Sequence, residues 1–236
     1  MYCAYVRMDF LLSRVLQSVV VLVPMVIFFA LILQFYNNPF KTAWNFALLE
    51  SFSRTSEVAV NVPDGPCTIK RECPDDHYSF FIQSGAANVF GPKICIQNEL
   101  VLGTVLNNAA AGINLVTVNG RTGAVIKTGT FNMFSGEVEP LIDFLKEIDK
   151  GSVVLVASYD DPSSKLNDEA RKLFVEMGSS SIQTLGFRDN WVFVGGKGES
   201  MKSKYEKYIK NDASTNKYEN WPELINMDGC IPKRLD

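Results

Sequence analysis

Four cysteines, Cys67, Cys73, Cys95 and Cys230, all lie beyond a long apolar run from Val15 to Phe35, and the fifth, Cys3, lies on its other side. That arrangement constrains the chain more than any other feature. An apolar leader preceded by Arg7 and Arg14 directs the downstream chain into the secretory pathway, where disulfides form and persist. An even set of four thiols permits complete pairing, and the sequence by itself leaves three connectivities open.

The apolar run is long for a signal peptide and adequate for a membrane span, since at the helical rise it covers roughly 30 Å, about one hydrocarbon core. Pro24 is tolerated better in a bilayer helix than in a soluble one. After Ala30 no good pair of small residues marks a cleavage site, and the leading arginines favour a cytoplasmic N-terminus. Residues 1–36 therefore read as a signal peptide, with a retained type II signal anchor as the alternative. The first predicts a secreted, extracellular protein; the second predicts anchoring in the Golgi or secretory pathway, through residues 15–35 alone.

Residues 37–66 form a breaker-rich stem, with Asn37-Asn38-Pro39 at one end and Pro63-Asp64-Gly65-Pro66 at the other. From Cys67 onward the texture becomes that of a folded domain, 67–236. Ser79–Ile82, Lys93–Ile96, Ile113–Val118, Ala124–Phe131, Val153–Tyr159 and Trp191–Val194 read as strands. Asn119-Gly120, ahead of Arg121-Thr122-Gly123, is a hairpin signal in which Asn and Gly accept the positive φ of a tight turn. Helical spacing marks Val138–Ile148 and Asn167–Met177, the second ended by Gly178. After Val194 the pattern predicts a lysine-rich helix and then an irregular tail to Cys230. The expected class is α+β, with sheets antiparallel early and mixed later.

The chain carries 23 Lys and Arg against 26 Asp and Glu, and this mildly acidic balance argues against a nucleic-acid partner. It has no Asn-x-Ser/Thr acceptor for N-glycosylation. Catalytic signals are weak. His77 is the only histidine, and no Gly-x-Ser-x-Gly elbow surrounds a serine. Cys67 and Cys73 stand too far apart for a zinc Cys-x2–4-Cys pair. Gly195-Gly196-Lys197-Gly198 lacks the spacing of a phosphate loop and reads as a glycine turn closing a strand. A calcium site built from Asp160 and Asp161 with Asn167, Asp168 and Glu169 is conceivable, but the spacing is not that of an EF-hand loop, and no cofactor and no metal is expected.

Two segments are candidates for binding. Asp160 and Asp161 follow a buried strand, at an edge where binding loops are commonly positioned. Adjacent strand residues point to opposite faces, so the pair fits an acid–base couple poorly, and a turn followed by a helix N-cap is the plain alternative. In Leu185-Gly186-Phe187-Arg188-Asp189-Asn190-Trp191, Trp191 can offer a flat apolar face, and Arg188 with Asp189 planar donors and acceptors. The competing reading puts Trp191 and Phe193 in the core and makes Arg188–Asp189 a structural pair.

Several blocks follow one another in a familiar order: Ser84-Gly85-Ala86-Ala87-Asn88-Val89, Lys93-Ile94-Cys95, Ala111-Gly112-Ile113-Asn114, Tyr159-Asp160-Asp161, Lys165 to Ala170, Leu185 to Phe193, and Gly229-Cys230-Ile231-Pro232. Together they resemble the cytokine-like proteins called "family with sequence similarity three", the C and D members more than the B member. Their shared domain is the interleukin-like epithelial–mesenchymal transition inducer, or GG-type lectin, domain. The resemblance covers Cys67 to the C-terminus. It implies two packed, mainly antiparallel β-sheets with short flanking helices, stapled by Cys67–Cys95 and Cys73–Cys230. The same domain type resembles a sugar-binding glycosyltransferase stem. Some relatives carry an additional cysteine in the strand after the central tryptophan; here it reads Phe193-Val194-Gly195, without that thiol. Asn132 stands where several relatives have an aspartate, which puts sugar binding at that position in question.

The expected function is that of a secreted, non-catalytic, cytokine-like signalling protein that binds a cell-surface receptor. A glycan-binding lectin module is the alternative. The candidate binding residues are Asn132, Asp160, Asp161, Arg188, Asp189 and Trp191.

Overall fold

The computed structural model describes residues 22–29, 67, 72–198 and 202–233. Residues 22–29 are helical; the rest of the apolar run and all of the 37–66 stem lie outside the described residues. Among the described residues no helix is long and apolar enough to cross a membrane. The chain divides into two units, Met1–Asn61 and Val62–Asp236, and the two sheets belong to the second.

Nine strands make up these sheets. The first is four-stranded, in the order β3-β2-β1-β9, from β1 (His77–Gln83), β2 (Lys93–Ile96), β3 (Glu99–Gly103) and β9 (Asn226–Pro232). The second is five-stranded, in the order β5-β4-β6-β7-β8, from β4 (Gly112–Asn119), β5 (Val125–Phe131), β6 (Ser152–Tyr159), β7 (Asn190–Gly196) and β8 (Tyr205–Ile209). Two helices, α1 (Glu139–Lys146) and α2 (Asp168–Glu176), pack on the five-stranded sheet.

The period-two alternation of a strand explains the layering. In β4, β6 and β7, Ile113, Leu115, Val154, Val156, Trp191 and Phe193 face the helices and meet Leu141, Phe144, Leu145 and Phe174. Their neighbours Val116, Val118, Val153, Leu155, Val192 and Val194 face the other sheet and meet Phe80, Ile82, Ile94, Leu102 and Met227. These three strands are buried on both faces, so they read as continuous apolar runs. Asn167 caps α2, its Oδ1 accepting the Ala170 amide at 2.9 Å, and Asp168 and Glu169 complement the helix dipole.

Four expectations need correction. Among the described residues every strand pair is antiparallel, so the sheet is not mixed in its later part. The segment expected to be a lysine-rich helix contains the edge strand β8: Tyr205 and Ile209 lean on the core between the sheets while Tyr208 leans on the helix side, a period of two. The expected irregular tail contains β9, paired along the full length of β1, with Met227 and Ile231 buried on alternate positions. At the β4–β5 hairpin the positive φ falls on Gly123, at 73°, while the Asn119 side chain accepts the amides of Arg121 and Thr122. Strand β3 is an addition to the expected set.

Disulfides join Cys67 to Cys95 and Cys73 to Cys230. They tie the start of the domain to β2 and to β9, so the four-stranded sheet is covalently closed at the point where the chain enters it.

Candidate functional site

Strand register brings the candidate residues to one end of the domain. β6 finishes at Tyr159 opposite Gly112, and β5 finishes at Phe131 opposite Ile113, so Asp160, Asp161 and Asn132 leave the sheet at the same end, on either side of β4. β7 begins at Asn190 beside the end of β6, which places Arg188 and Asp189 on the same end. The other sheet joins them, because the Gly85 amide donates to the Ser158 carbonyl at 2.8 Å.

Within this end the side chains divide by task. Asp161 is buried; one oxygen accepts from the Ser163 amide at 3.0 Å and from its hydroxyl at 3.3 Å, and the other has no partner among the described residues. Asp160, at φ 58°, accepts the indole N–H of Trp221 at 3.1 Å. Arg188, at φ 60°, has its guanidinium carbon 4.0 Å from the Trp221 ring centroid and 4.7 Å from that of Phe187, with Nε buried and without a hydrogen-bond partner among the described residues. Asp189 is a brace: its carboxylate accepts from the Gly186 amide, the Tyr208 hydroxyl and the Asn211 amide at 2.6–2.7 Å. It does not pair with Arg188 by any of these bonds. Asn132 is exposed and accepts the amides of Phe134 and Ser135, and the Met133 carbonyl accepts the Lys165 amide, tying this turn to the loop after β6.

Trp191 is fully buried. Its ring lies 5.6 Å from that of Phe193 and 5.3 Å from that of Phe174, and its indole N–H donates to Glu206 at 2.9 Å. Strand alternation points it at α2, so it offers no face to a ligand from outside. Of the two readings of Trp191, the core position is the one observed, so Trp191 is not among the ligand-facing residues. Trp221 joins Phe187 in supplying an aromatic ring to the site, and no sequence pattern marks it because it lies in a breaker-rich stretch without periodicity.

Exposed apolar side chains stand in the loops at this same end of the domain. Val89 and Phe90 are each 69% exposed and Val105 81%, with Phe134 and Phe187 also held out in solvent. The Val89–Phe90 turn is braced by a two-residue bridge between Ala86 and Phe90, and Gly91 packs so closely on Thr104 that the two loops support each other. Burial and the Asp160 charge raise the Tyr159 phenol above its ordinary range. The single histidine, His77, bonds Asp76 at 2.6 Å at the start of β1, the far end of that strand from this site. Among the described residues no group of three or more His, Cys, Asp or Glu is placed to hold a metal ion.

Two antiparallel sheets, helices on one face and two disulfides define an α+β, disulfide-stapled domain of the interleukin-like EMT inducer class, whose family model matches residues 111–199. The chain belongs to the FAM3 family, a cytokine-like family. It is 49% identical to Protein FAM3C of Danio rerio over 215 residues, covering 89% of this chain and 93% of that protein. It is 50% identical to human Protein FAM3C over 182 residues, covering 77% and 80%, and 50% identical to human Protein FAM3D over 175 residues, covering 74% and 78%.

Proposed function

We propose that this chain is a secreted, cytokine-like protein that acts without catalysis, by binding a cell-surface receptor through the loop end built around Arg188 and Trp221. The observation that carries the reading is the set of exposed apolar side chains, Val89, Phe90, Val105, Phe134 and Phe187, gathered at that one end. Solvent-exposed apolar groups concentrated beside an arginine and a tryptophan are the chemistry of interface anchors. A stable receptor contact buries roughly 800 Å² per partner, a size that calls on several of these loops at once. Two disulfides fit an extracellular setting, and the apolar N-terminal run is the address that takes the chain there. The test is binding of labelled, oxidised full-length protein to cultured cells. Phe90→Ser and Phe134→Ser, both solvent-facing, are expected to reduce binding with little change in melting temperature; undiminished binding removes this reading.

A second reading is favoured by a separate observation, the buried oxygen of Asp161 that has no partner among the described residues, at the same end as the Arg188 guanidinium. A buried acceptor without a donor is costly in the unliganded protein and is relieved by a ligand hydroxyl. In this reading the polar centre takes a glycan. A single sugar would bind at roughly millimolar strength, so clustering of the protein or the glycan is needed. A glycan array probed with clustered protein tests it: signal on defined glycans that Asp161→Ala and Arg188→Ala abolish supports a lectin, and a blank array from folded protein leaves the protein-receptor reading alone. Comparing medium with membrane fractions separates a cleaved leader from a retained type II anchor.

A further inference from the structure

We propose that Trp221 is a positioning residue of this site: its indole fixes Arg188 and Asp160, and thereby aims the guanidinium at the ligand. The inference rests on the reading that ligand is bound at this end. Asp160 and Arg188 flank the neighbouring strands β6 and β7, and both adopt left-handed backbone that non-glycine residues seldom take. One side chain from a distant arm engages both, the Asp160 carboxylate through its N–H and the Arg188 guanidinium through its ring. Stacking occupies a guanidinium face and leaves the in-plane N–H groups to meet paired oxygen acceptors on a ligand.

The arm that carries Trp221 is the connection between β8 and β9. It is held at both of its ends by the residues that directly follow Arg188. The Asn211 amide donates to Asp189 at 2.7 Å, and the Asn190 side chain donates to the Glu223 carbonyl at 2.6 Å. Between these pins, Asn216 bonds Asn211 and the Glu219 carbonyl, and a bridge pairs Tyr218 with Trp221. Arg188-Asp189-Asn190 thus works as one unit: the first residue meets the ligand, and the next two hold the arm that steadies the first.

The experiment uses oxidised full-length protein and intact cultured epithelial cells as the probe, with half-saturation read by flow cytometry and folding by melting temperature. Arg188→Ala and Trp221→Leu are each expected to weaken binding about tenfold, while Trp221→Phe, which keeps a ring for the guanidinium, stays within roughly threefold of the wild type. The Arg188→Ala/Trp221→Leu double variant is expected to bind no more weakly than either single variant, because the two act as a unit. Leu and Phe both fill apolar space, so a purely structural role for Trp221 would not separate them. If Arg188→Ala weakens binding and Trp221→Leu does not, the inference is overturned and the site reading stands. Equal loss with Leu and Phe also overturns it. If Arg188→Ala binds as the wild type does, the site reading and the inference fall together.

Discussion

Glu206 accepts the indole N–H of Trp191 at 2.9 Å, linking the edge strand β8 to the centre of the helix-side core. The same carboxylate accepts from the Ser179 and Ser180 hydroxyls and the Ser180 and Ser181 amides. Burial pushes its pKa up, but these hydrogen bonds outweigh burial and hold it below the ordinary glutamate value. A depressed carboxylate stabilises the fold fully above its unfolded pKa of about 4.3, and that contribution is lost as pH falls through the lower folded pKa. Glu206→Gln is expected to lower stability by roughly 2 kcal/mol at neutral pH and to flatten the acid limb of the melting-temperature profile. Thermal melts of both proteins between about pH 7 and pH 3 check this; identical acid limbs would refute it.

Tyr208 behaves in the opposite sense. Burial, and then its hydrogen bond and charge interaction with Asp189, push the phenol up to about 12. The group stabilises the fold below its unfolded pKa of about 10, and the contribution disappears as pH rises from there through about 12. Tyr208→Phe removes the donor at 2.7 Å from Asp189 and is expected to cost about 1 kcal/mol. An alkaline titration followed by phenolate absorbance should lose a late-titrating step in the variant.

The Cys73–Cys230 bridge joins residues 157 positions apart, and in the loop-entropy picture it stabilises by about 5 kcal/mol, against roughly 3.5 for Cys67–Cys95. Its second cysteine lies in β9, which pairs only with β1. Cys73→Ser/Cys230→Ser is therefore expected to loosen β9 first. Hydrogen exchange should show Met227 and Ile231 losing protection before the five-stranded sheet does, with a fall in melting temperature larger than that of Cys67→Ser/Cys95→Ser.

Legibility in the sequence tracks where burial lies. β4, β6 and β7 are covered on both faces, so their apolar runs announce them, and Asn167 announces α2 by its capping chemistry. β8 and β9 are edge strands whose lysine, glutamate, glycine and proline residues mask the alternation, so their pattern suggests a helix and an irregular tail instead. The site is half legible for a related reason. Asp161 and Arg188 sit in compact blocks at strand ends, whereas the Trp221–Asp160 bond spans 61 residues of sequence and depends on how the arm is pinned, which no local pattern encodes. Trp191 is ambiguous until strand parity puts it on the helix side.

Gly112 couples the fold to the site directly. It opens β4 at φ 107°, and a Cβ there would lie 2.0 Å from the Phe131 carbonyl oxygen and 2.8 Å from the Met133 amide. Those atoms flank Asn132, and the Met133 carbonyl in turn holds the loop after β6 through Lys165. Left-handed strain for alanine and the forced parting of β5 act in the same direction, so Gly112→Ala is expected to destabilise the domain by roughly 3 kcal/mol. Denaturant unfolding of the purified variant measures it. Because the clash lies at the end of β5, the damage should reach the candidate site before the far end of the sheet. Amide exchange at Phe134 and Ser135, whose N–H groups are held by Asn132, should therefore accelerate more than exchange at Arg121 and Thr122 on the opposite hairpin. Equal acceleration at both ends would mean that the strain spreads through the sheet instead of stopping at the turn.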